Sequence, residues 1–208
     1  MDKYVKDPKE IECRSFEIIT EELGEKKFEE SMGKIAKRVI HTTADFEYAD
    51  LLEFHPKAIE AGKKALKEGC CIYSDTQMII GGVNKKSLSR FGVQIFNFVH
   101  DEDVAKKALE TGITRSMIAL EKAASDMSIR IFAIGNAPTA LFTLKRLIEE
   151  GKAKPDLIIG VPVGFVGAAE SKESIRDLGV PYIITRGRKG GSTVAAAIIN
   201  AFLYMLQD

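Results

Sequence analysis

The sequence has 208 residues, 45% of them hydrophobic, and its 30 basic side chains balance 30 acidic ones. A chain of this length can bury a full core without disulfides or metals, so we expect a single domain over residues 1–208. The zero net charge excludes a global field that would hold nucleic acid or an anionic membrane, and any anion site must come from local clustering.

The three cysteines, Cys13, Cys70 and Cys71, argue against a disulfide framework. Their count is odd, two are adjacent and no C-x-x-C spacing occurs, which favours a reducing compartment. No group of Cys, His and carboxylates has metal-ligand spacing, so we expect no metal held by the protein. No apolar run approaches the roughly 18–20 residues of a membrane span, and residues 1–9 lack the apolar core of a signal peptide. We therefore expect a soluble cytoplasmic protein.

Residues 1–45 are predicted to form a helical segment ahead of any clear strand. Asp7 and Pro8 are a typical N-cap and first-turn pair, and they open the first helix. A second helix is predicted over residues 26–38, where apolar residues recur at three- and four-residue spacing. The helical pattern then stops, so the stretch around His41 is expected to follow the helix.

Residues 46–208 alternate short apolar strands with helices. Five strands are predicted, all rich in β-branched and aromatic residues: 70–74, 94–99, 129–134, 157–161 and 182–185. Helices are predicted around and between them: 56–67, 104–109, 115–124, 139–150, 170–178 and 192–206. This alternation indicates right-handed crossovers and a parallel sheet covered on both faces. We predict a three-layer α/β/α fold, flavodoxin-like, with five mainly parallel strands.

The last predicted helix, residues 192–206, is apolar nearly all round. Such a helix must be buried on more than one side. A dimer partner is one way to cover it.

One histidine stands in a polar stretch from Arg38 to Asp45. Two hydroxyl side chains, Thr42 and Thr43, directly follow His41. Imidazole can give and take a proton near neutral pH, so His41 is the candidate for proton transfer. Taken alone, a histidine after a helix is more often structural than catalytic.

The fifth predicted strand leads into a basic loop, residues 186–192. This loop combines Arg186, Arg188 and Lys189 with three glycines, immediately before a helix N-terminus. Free backbone amides and the helix dipole favour an anion there, and guanidinium groups can fork onto carboxylates or phosphates. The loop is neither a Walker loop nor a G-x-G-x-x-G fingerprint, and a flexible basic surface loop remains the alternative.

Other polar residues follow the ends of the predicted strands. In open parallel sheets ligands sit outside the carboxyl ends of the strands, where Ser74 and Asp75 follow the first strand. Gly135 and Asn136 follow the third strand and are either a turn or a ligand contact. No G-x-S-x-G elbow occurs, which counts against an α/β-hydrolase.

Four separated motifs resemble the precorrin-8X methylmutases and their cobalt-precorrin-8 counterparts. They are residues 38–49, 135–140, 160–166 and 185–192. The resemblance spans essentially the whole chain. It implies an isomerase of corrin biosynthesis that moves a methyl group from C-11 to C-12 of precorrin-8 or cobalt-precorrin-8. The product is hydrogenobyrinic or cobyrinic acid. The resemblance also implies a homodimer, with the site near the subunit interface, and no separate cofactor.

The resemblance further implies roles for individual residues. The histidine of the family's H-T-T motif, the proposed acid–base residue, corresponds to His41. The substrate is a large flat macrocycle fringed with carboxylates, so several cations and hydrogen-bond donors should surround it. The candidates for binding it are Arg14, Ser15, Arg38, Thr42, Ser74, Asp75, Arg115, Arg186, Arg188 and Lys189.

Two other functions fit the pattern of residues. A flavodoxin-like module that binds a small anion or a nucleotide would need the basic loop but not His41. A phosphoryl or acyl transferase could use the same loop as an anion hole. That enzyme would need a nucleophile, and Ser74, Ser192 and Thr193 have no obvious base in the sequence.

Overall fold

The computed structural model describes residues 6–26 and 28–207. Two helices come first, α1 over Pro8–Leu23 and α2 over Glu30–Thr43. The Asp7 carboxylate accepts a hydrogen bond from the Glu10 amide at 2.9 Å, so the predicted cap and start of α1 are confirmed.

Helix α2 runs past its predicted end. The hydroxyls of Thr42 and Thr43 donate back to the carbonyls of Arg38 and Val39, each at 2.9 Å, and Ala44 ends the helix with a φ of 52°. The prediction that the helix stops at residue 38 is therefore wrong, because no glycine or proline interrupts the next turn. His41 lies in the last turn of a helix rather than after it.

Six strands form one mixed sheet. They are β1 Leu52–Phe54, β2 Cys71–Ser74, β3 Gln94–Phe96, β4 Ile129–Ile134, β5 Leu157–Gly160 and β6 Tyr182–Thr185. Their spatial order is β1-β6-β5-β4-β2-β3; β2 to β6 pair in parallel, and β1 pairs antiparallel with β6. The predicted count of five is wrong because β1, only three residues long, carries no periodic signal.

The remaining helices cover both faces of this sheet. They are α3 Tyr48–Leu51, α4 Ala58–Lys67, α5 Gln77–Gly82, α6 Lys85–Arg90, α7 Glu102–Thr111, α8 Arg115–Ala124, α9 Pro138–Glu149, α10 Ala168–Glu173 and α11 Ser192–Met205, with a 3₁₀ turn at Arg176–Leu178. Neighbouring residues of one strand, such as Ile72 and Tyr73, enter two separate hydrophobic cores. The cores contain α2, α4, α5 and α11 on one face and α7, α8 and α9 on the other, which gives three layers.

Helix α11 is covered within the chain itself. Its residues from Val194 to Leu203 are nearly all buried, against α2, α4, α5 and α6. A Cβ built on Gly62 of α4 would come within 2.7 Å of the Phe202 ring, so α4 and α11 are in close contact. The apolar surface of α11 is therefore no argument for a dimer partner. Helices α5 and α6, which the sequence analysis did not predict, help to cover it.

The edge strand β1 is fastened by Glu53. Its carboxylate accepts hydrogen bonds from Arg176 Nε at 2.9 Å, Arg176 Nη2 at 2.7 Å and the Tyr182 hydroxyl at 3.0 Å. The bonds from Arg176, more than that from Tyr182, hold the pKa of Glu53 below its usual range. A carboxyl whose pKa is lowered on folding stabilises the protein above its ordinary pKa, and this contribution is lost as the pH falls through the lowered value.

Replacing Glu53 with glutamine is expected to reduce the free energy of unfolding by about 1 kcal/mol at pH 7, a value that allows for partial screening by solvent. The difference from the parent chain should shrink as the pH falls below about 4. Urea titrations at stepwise lower pH measure both effects. Glu149→Gln, which removes an exposed pairing with Lys145 on α9, is the control and should change little. A Glu53→Gln deficit that does not depend on pH would contradict the assignment.

Candidate active site

The stretch around His41 and the basic loop, residues 186–192, lie against each other. The Lys189 ammonium contacts the Asp45 carboxylate at 2.6 Å and the Glu47 carboxylate at 2.9 Å. The Tyr48 hydroxyl donates to the Gly190 carbonyl at 3.3 Å. Two regions that the sequence flagged separately are therefore one surface, formed by the end of α2, by α3 and by the loop that precedes α11.

His41 is exposed and its ring lies flat on an aromatic side chain of α1. The His41 and Phe16 rings are stacked, with centroids 5.1 Å apart and planes 7° from parallel. Within the described residues the imidazole makes no hydrogen bond, so both ring nitrogens are open to a ligand. The sequence analysis did not assign Phe16 to the site. Its position on α1, two residues after the candidate Arg14, was the signal that could have identified it.

Arg38 is held in place by its neighbours. Its guanidinium lies over the rings of Phe16 and Tyr204, at 4.6 Å and 4.8 Å from their centroids, and contacts the Glu12 carboxylate at 2.8 Å. Only 19% of the side chain is exposed. Arg38 therefore joins α1 to α2 and α11, and its charge is already compensated.

The other candidates on α1 and α2 are engaged by their own helices. The Arg14 guanidinium pairs with Glu17 at 2.9 Å and is exposed, and this hydrogen bond raises the pKa of Arg14. The Ser15 hydroxyl donates to the Ile11 carbonyl at 2.7 Å, and the Thr42 hydroxyl to that of Arg38. The two hydroxyls would have to exchange a partner to donate to a ligand, whereas the exposed Arg14 guanidinium keeps further N–H donors.

The three cations of the basic loop differ in how far they are compensated. Arg186 donates to the Asp50 carbonyl, and Lys189 pairs with two carboxylates that raise its pKa, that of Asp45 above all. The Arg188 guanidinium lies over the Phe165 ring, 5.4 Å from its centroid, and makes no ion pair within the described residues. Phe165, in the loop after β5, is 83% exposed. Arg188 and Phe165 thus present an uncompensated cation beside an apolar ring.

Two glycines allow the loop to approach the strand ends. A Cβ built on Gly190 would lie 2.2 Å from the Val161 carbonyl oxygen, which accepts a hydrogen bond from the Gly191 amide at 2.8 Å. A Cβ built on Gly135, at the end of β4, would lie 2.8 Å from Ser192 Cα. The loop is packed directly on the backbone at these positions, so side chains there are excluded.

Ser74 and Asp75 belong to the frame of the sheet rather than to the open surface. Asp75 is 5% exposed, and its carboxylate accepts hydrogen bonds from the amides of Gly135, Asn136 and Ala137, each at 2.8 Å. Burial raises the pKa of Asp75, and the three amides oppose that shift. The buried Ser74 hydroxyl donates to the Thr76 carbonyl at 2.7 Å. Both side chains therefore have hydrogen-bond partners within the protein, because the β4 turn supplies the amides that bind Asp75 and Thr76 supplies the carbonyl that binds Ser74.

Arg115 lies at the start of α8 and is exposed. The preceding Thr114 caps the helix and comes within 3.4 Å of the Thr139 hydroxyl at the start of α9. In residues 6–26 and 28–207 no carboxylate pairs with Arg115. It is, with Arg188, an uncompensated guanidinium among the predicted ligands.

No group of three or more His, Cys, Asp and Glu side chains in the described part of the chain could hold a metal ion. Among the helices that the structure describes, none has both the length and the apolar character needed to cross a membrane.

Comparisons with known proteins agree over nearly the whole chain. The family model described as CbiC, precorrin-8X methylmutase, matches residues 10–205. A Priestia megaterium protein named cobalt-precorrin-8 methylmutase is 50% identical over 93% of this chain and 86% of its own length. A Pseudomonas aeruginosa protein named precorrin-8X methylmutase is 42% identical over 95% of this chain and 96% of its own. The crystal structure of precorrin-8X methylmutase from Thermus thermophilus superposes with a TM-score of 0.88 at 39% identity, covering 95% of this chain and 96% of the other.

Proposed function

We propose a site and a chemical course for this protein from the premise that the chain belongs to the precorrin-8X methylmutase family. It is accordingly an isomerase that shifts a methyl group in corrin biosynthesis. The shift we assign runs from C-11 to C-12 of precorrin-8, or of cobalt-precorrin-8, to hydrogenobyrinic or cobyrinic acid. The observation that carries the assignment is that the exposed His41 ring belongs to the same stretch as Asp45, whose carboxylate contacts Lys189 of the basic loop.

His41 is the acid–base residue in this proposal. An imidazolium at this position donates a proton to the ring system, which draws electron density and eases migration of the methyl group. The same nitrogen recovers the proton as the product relaxes, so the reaction is redox-neutral and needs no methyl donor and no separate cofactor. Stacking on Phe16 fixes the plane of the imidazole while its ring nitrogens remain open.

In this proposal the cations of the basic loop, with Arg115 at the start of α8, bind the carboxylates of the macrocycle. Arg188 and Arg115 are the first contacts, because neither forms an ion pair within the described residues. Arg186 and Lys189 join them by releasing Asp50 and Asp45. The Phe165 ring, exposed beside Arg188, offers an apolar surface to a flat ligand.

We assign the parallel strands to the flavodoxin-like winding. When β2 to β6 are counted as first to fifth, their order is 2-1-3-4-5, and the direction of winding reverses between β2 and β4. Ligands of such sheets bind outside the carboxyl ends at that switch point, where Asp75 joins the two strands. Residues 1–45 act with the 46–208 core as one domain, since α2 packs along α11.

We further propose that the protein is a cytoplasmic homodimer in which the partner covers the macrocycle. The exposure of His41, Phe165 and Val166 supports this, because a flat apolar ligand needs shelter on more than one side. A module that binds a small anion or a nucleotide is not favoured, because the family match includes His41 as well as the basic loop.

Titration of the protein with hydrogenobyrinic acid, the expected product, tests the proposed site. We expect a stoichiometric shift in the visible absorbance of the corrinoid. Arg188→Gln is expected to raise the dissociation constant about tenfold and to weaken its dependence on salt, because one charge-assisted contact is lost.

The control for this titration is Arg90→Gln, an exposed arginine at the end of α6, which should bind as the parent chain does. Equal affinities of the Arg188 and Arg90 variants would remove Arg188 from the site. No spectral shift with the parent protein at low salt would contradict the proposed site as a whole.

A further inference from the structure

Lys172, in α10, is a lysine with 0% of its surface exposed. Its ammonium donates to the Thr185 hydroxyl at 3.2 Å and to the Lys189 carbonyl at 2.9 Å. Both partners are neutral, and no carboxylate in the described part of the chain forms an ion pair with it. A buried ammonium without a counter-charge disfavours folding, so stability alone does not explain a lysine here.

The contacts of Lys172 join the two ends of one turn. The Thr185 hydroxyl also donates to the Lys189 carbonyl, at 2.7 Å, so an ammonium and a hydroxyl converge on one oxygen. Gly187, inside the turn, has a φ of 68°. The carbonyl of Lys189 is thereby held inward, while its side chain reaches Asp45 on the outside. A buried ammonium is therefore part of the hydrogen bonding that closes the basic loop.

We propose that Lys172 is a positioning residue for the isomerase: its buried ammonium closes the turn from Thr185 to Lys189 and so fixes the direction in which Arg186, Arg188 and Lys189 meet the substrate carboxylates. This inference rests on the proposed role of the basic loop. It also links α10 to the His41 stretch, through Lys189 and Asp45.

The protonation of Lys172 supports this role. Burial lowers its pKa to about 8, and Glu173 on the same helix opposes the shift. The β6 strand and the loop present only a hydroxyl and a carbonyl to it. Because the folded pKa lies below the ordinary one, the cost of the buried charge is full below about pH 8 and disappears as the pH rises towards the ordinary value. Removing the charge at pH 7 should therefore not reduce stability.

The test compares Lys172→Met, which keeps the length of the side chain, with the parent protein and with Lys145→Met, a control at a partly exposed lysine on α9 that pairs with Glu149. Three quantities are measured at pH 7: the dissociation constant for hydrogenobyrinic acid, kcat at saturating substrate, and the free energy of unfolding in urea. Lys172→Met is expected to raise the dissociation constant about tenfold and to change kcat less than about threefold, with stability unchanged or increased.

A second variant, Thr185→Val, removes the hydroxyl from the same carbonyl and keeps the β-branched shape. It should also raise the dissociation constant. The double variant should have a dissociation constant close to that of Lys172→Met alone. The parent protein should lose affinity as the pH rises through 8, whereas Lys172→Met should not.

Normal affinity in Lys172→Met, or a variant that unfolds at pH 7, would overturn the inference. In the second case the lysine would be structural. These results differ from failure of the proposed function, in which the parent protein itself would not bind hydrogenobyrinic acid.

Discussion

Replacing His41 with alanine is expected to lower kcat for the methyl shift by roughly 10²–10⁴-fold and to leave the affinity for hydrogenobyrinic acid within about threefold. In the proposed mechanism the imidazole transfers the proton, whereas Arg188 and Arg115 bind the carboxylates. Because His41 is exposed, removing its ring costs little beyond the stacking on Phe16, roughly 0.5–1.5 kcal/mol of stability.

The matched control is His100→Ala, an exposed histidine before α7 that lies outside the proposed site. Single-turnover assays with saturating enzyme separate the chemical step from product release. Turnover within tenfold of the parent protein in His41→Ala would remove the histidine from the chemistry. A matching loss in His100→Ala would point to a general effect on folding.

Replacing Asp75 with asparagine is expected to reduce the free energy of unfolding by about 2–4 kcal/mol, the largest loss of stability that we predict. Three amides of the β4 turn converge on this carboxylate, and an asparagine offers one acceptor oxygen and a donor that opposes them. The end of β4 would then lose its fastening to β2, and the close approach of Gly135 to Ser192 would be disturbed.

Urea unfolding followed by circular dichroism measures this loss. Asp126→Asn is the control, because its carboxylate accepts from the Ser128 amide and hydroxyl at the exposed surface. That change should cost a small fraction of the Asp75 loss. Equal losses at the two positions would show that the three amides find other partners when the Asp75 carboxylate is removed.

Buried strands were the part of the fold that the sequence could predict. Continuous apolar runs such as Leu157–Gly160 owe their pattern to burial on both faces, and that pattern is local. Strand β1 and helices α5 and α6 escaped prediction because they are short and tertiary contacts decide them. The N-caps at Thr76 and Asn84 were nevertheless readable signals for the two helices.

In the candidate site, too, local features could be predicted from the sequence and features set by tertiary contacts could not. Residue type and position flagged His41 and Arg188, whose side chains remain open in the structure. The sequence could not show that the Asp75 carboxylate accepts hydrogen bonds from the amides after β4, because those amides lie far from Asp75 in the chain. The burial of Lys172 could not be predicted either, because the sequence of a short polar helix does not indicate which of its lysines is buried.

The pairing of Lys189 with Asp45 and Glu47 has a consequence for selectivity among cellular anions. This cation already has two carboxylate partners, so a singly charged anion would gain little by displacing them. A macrocycle that carries many carboxylates can engage Arg188 first and then exchange the internal partners one at a time, each step being intramolecular. We therefore expect the proposed site to favour a ligand that presents several negative charges together over singly charged anions.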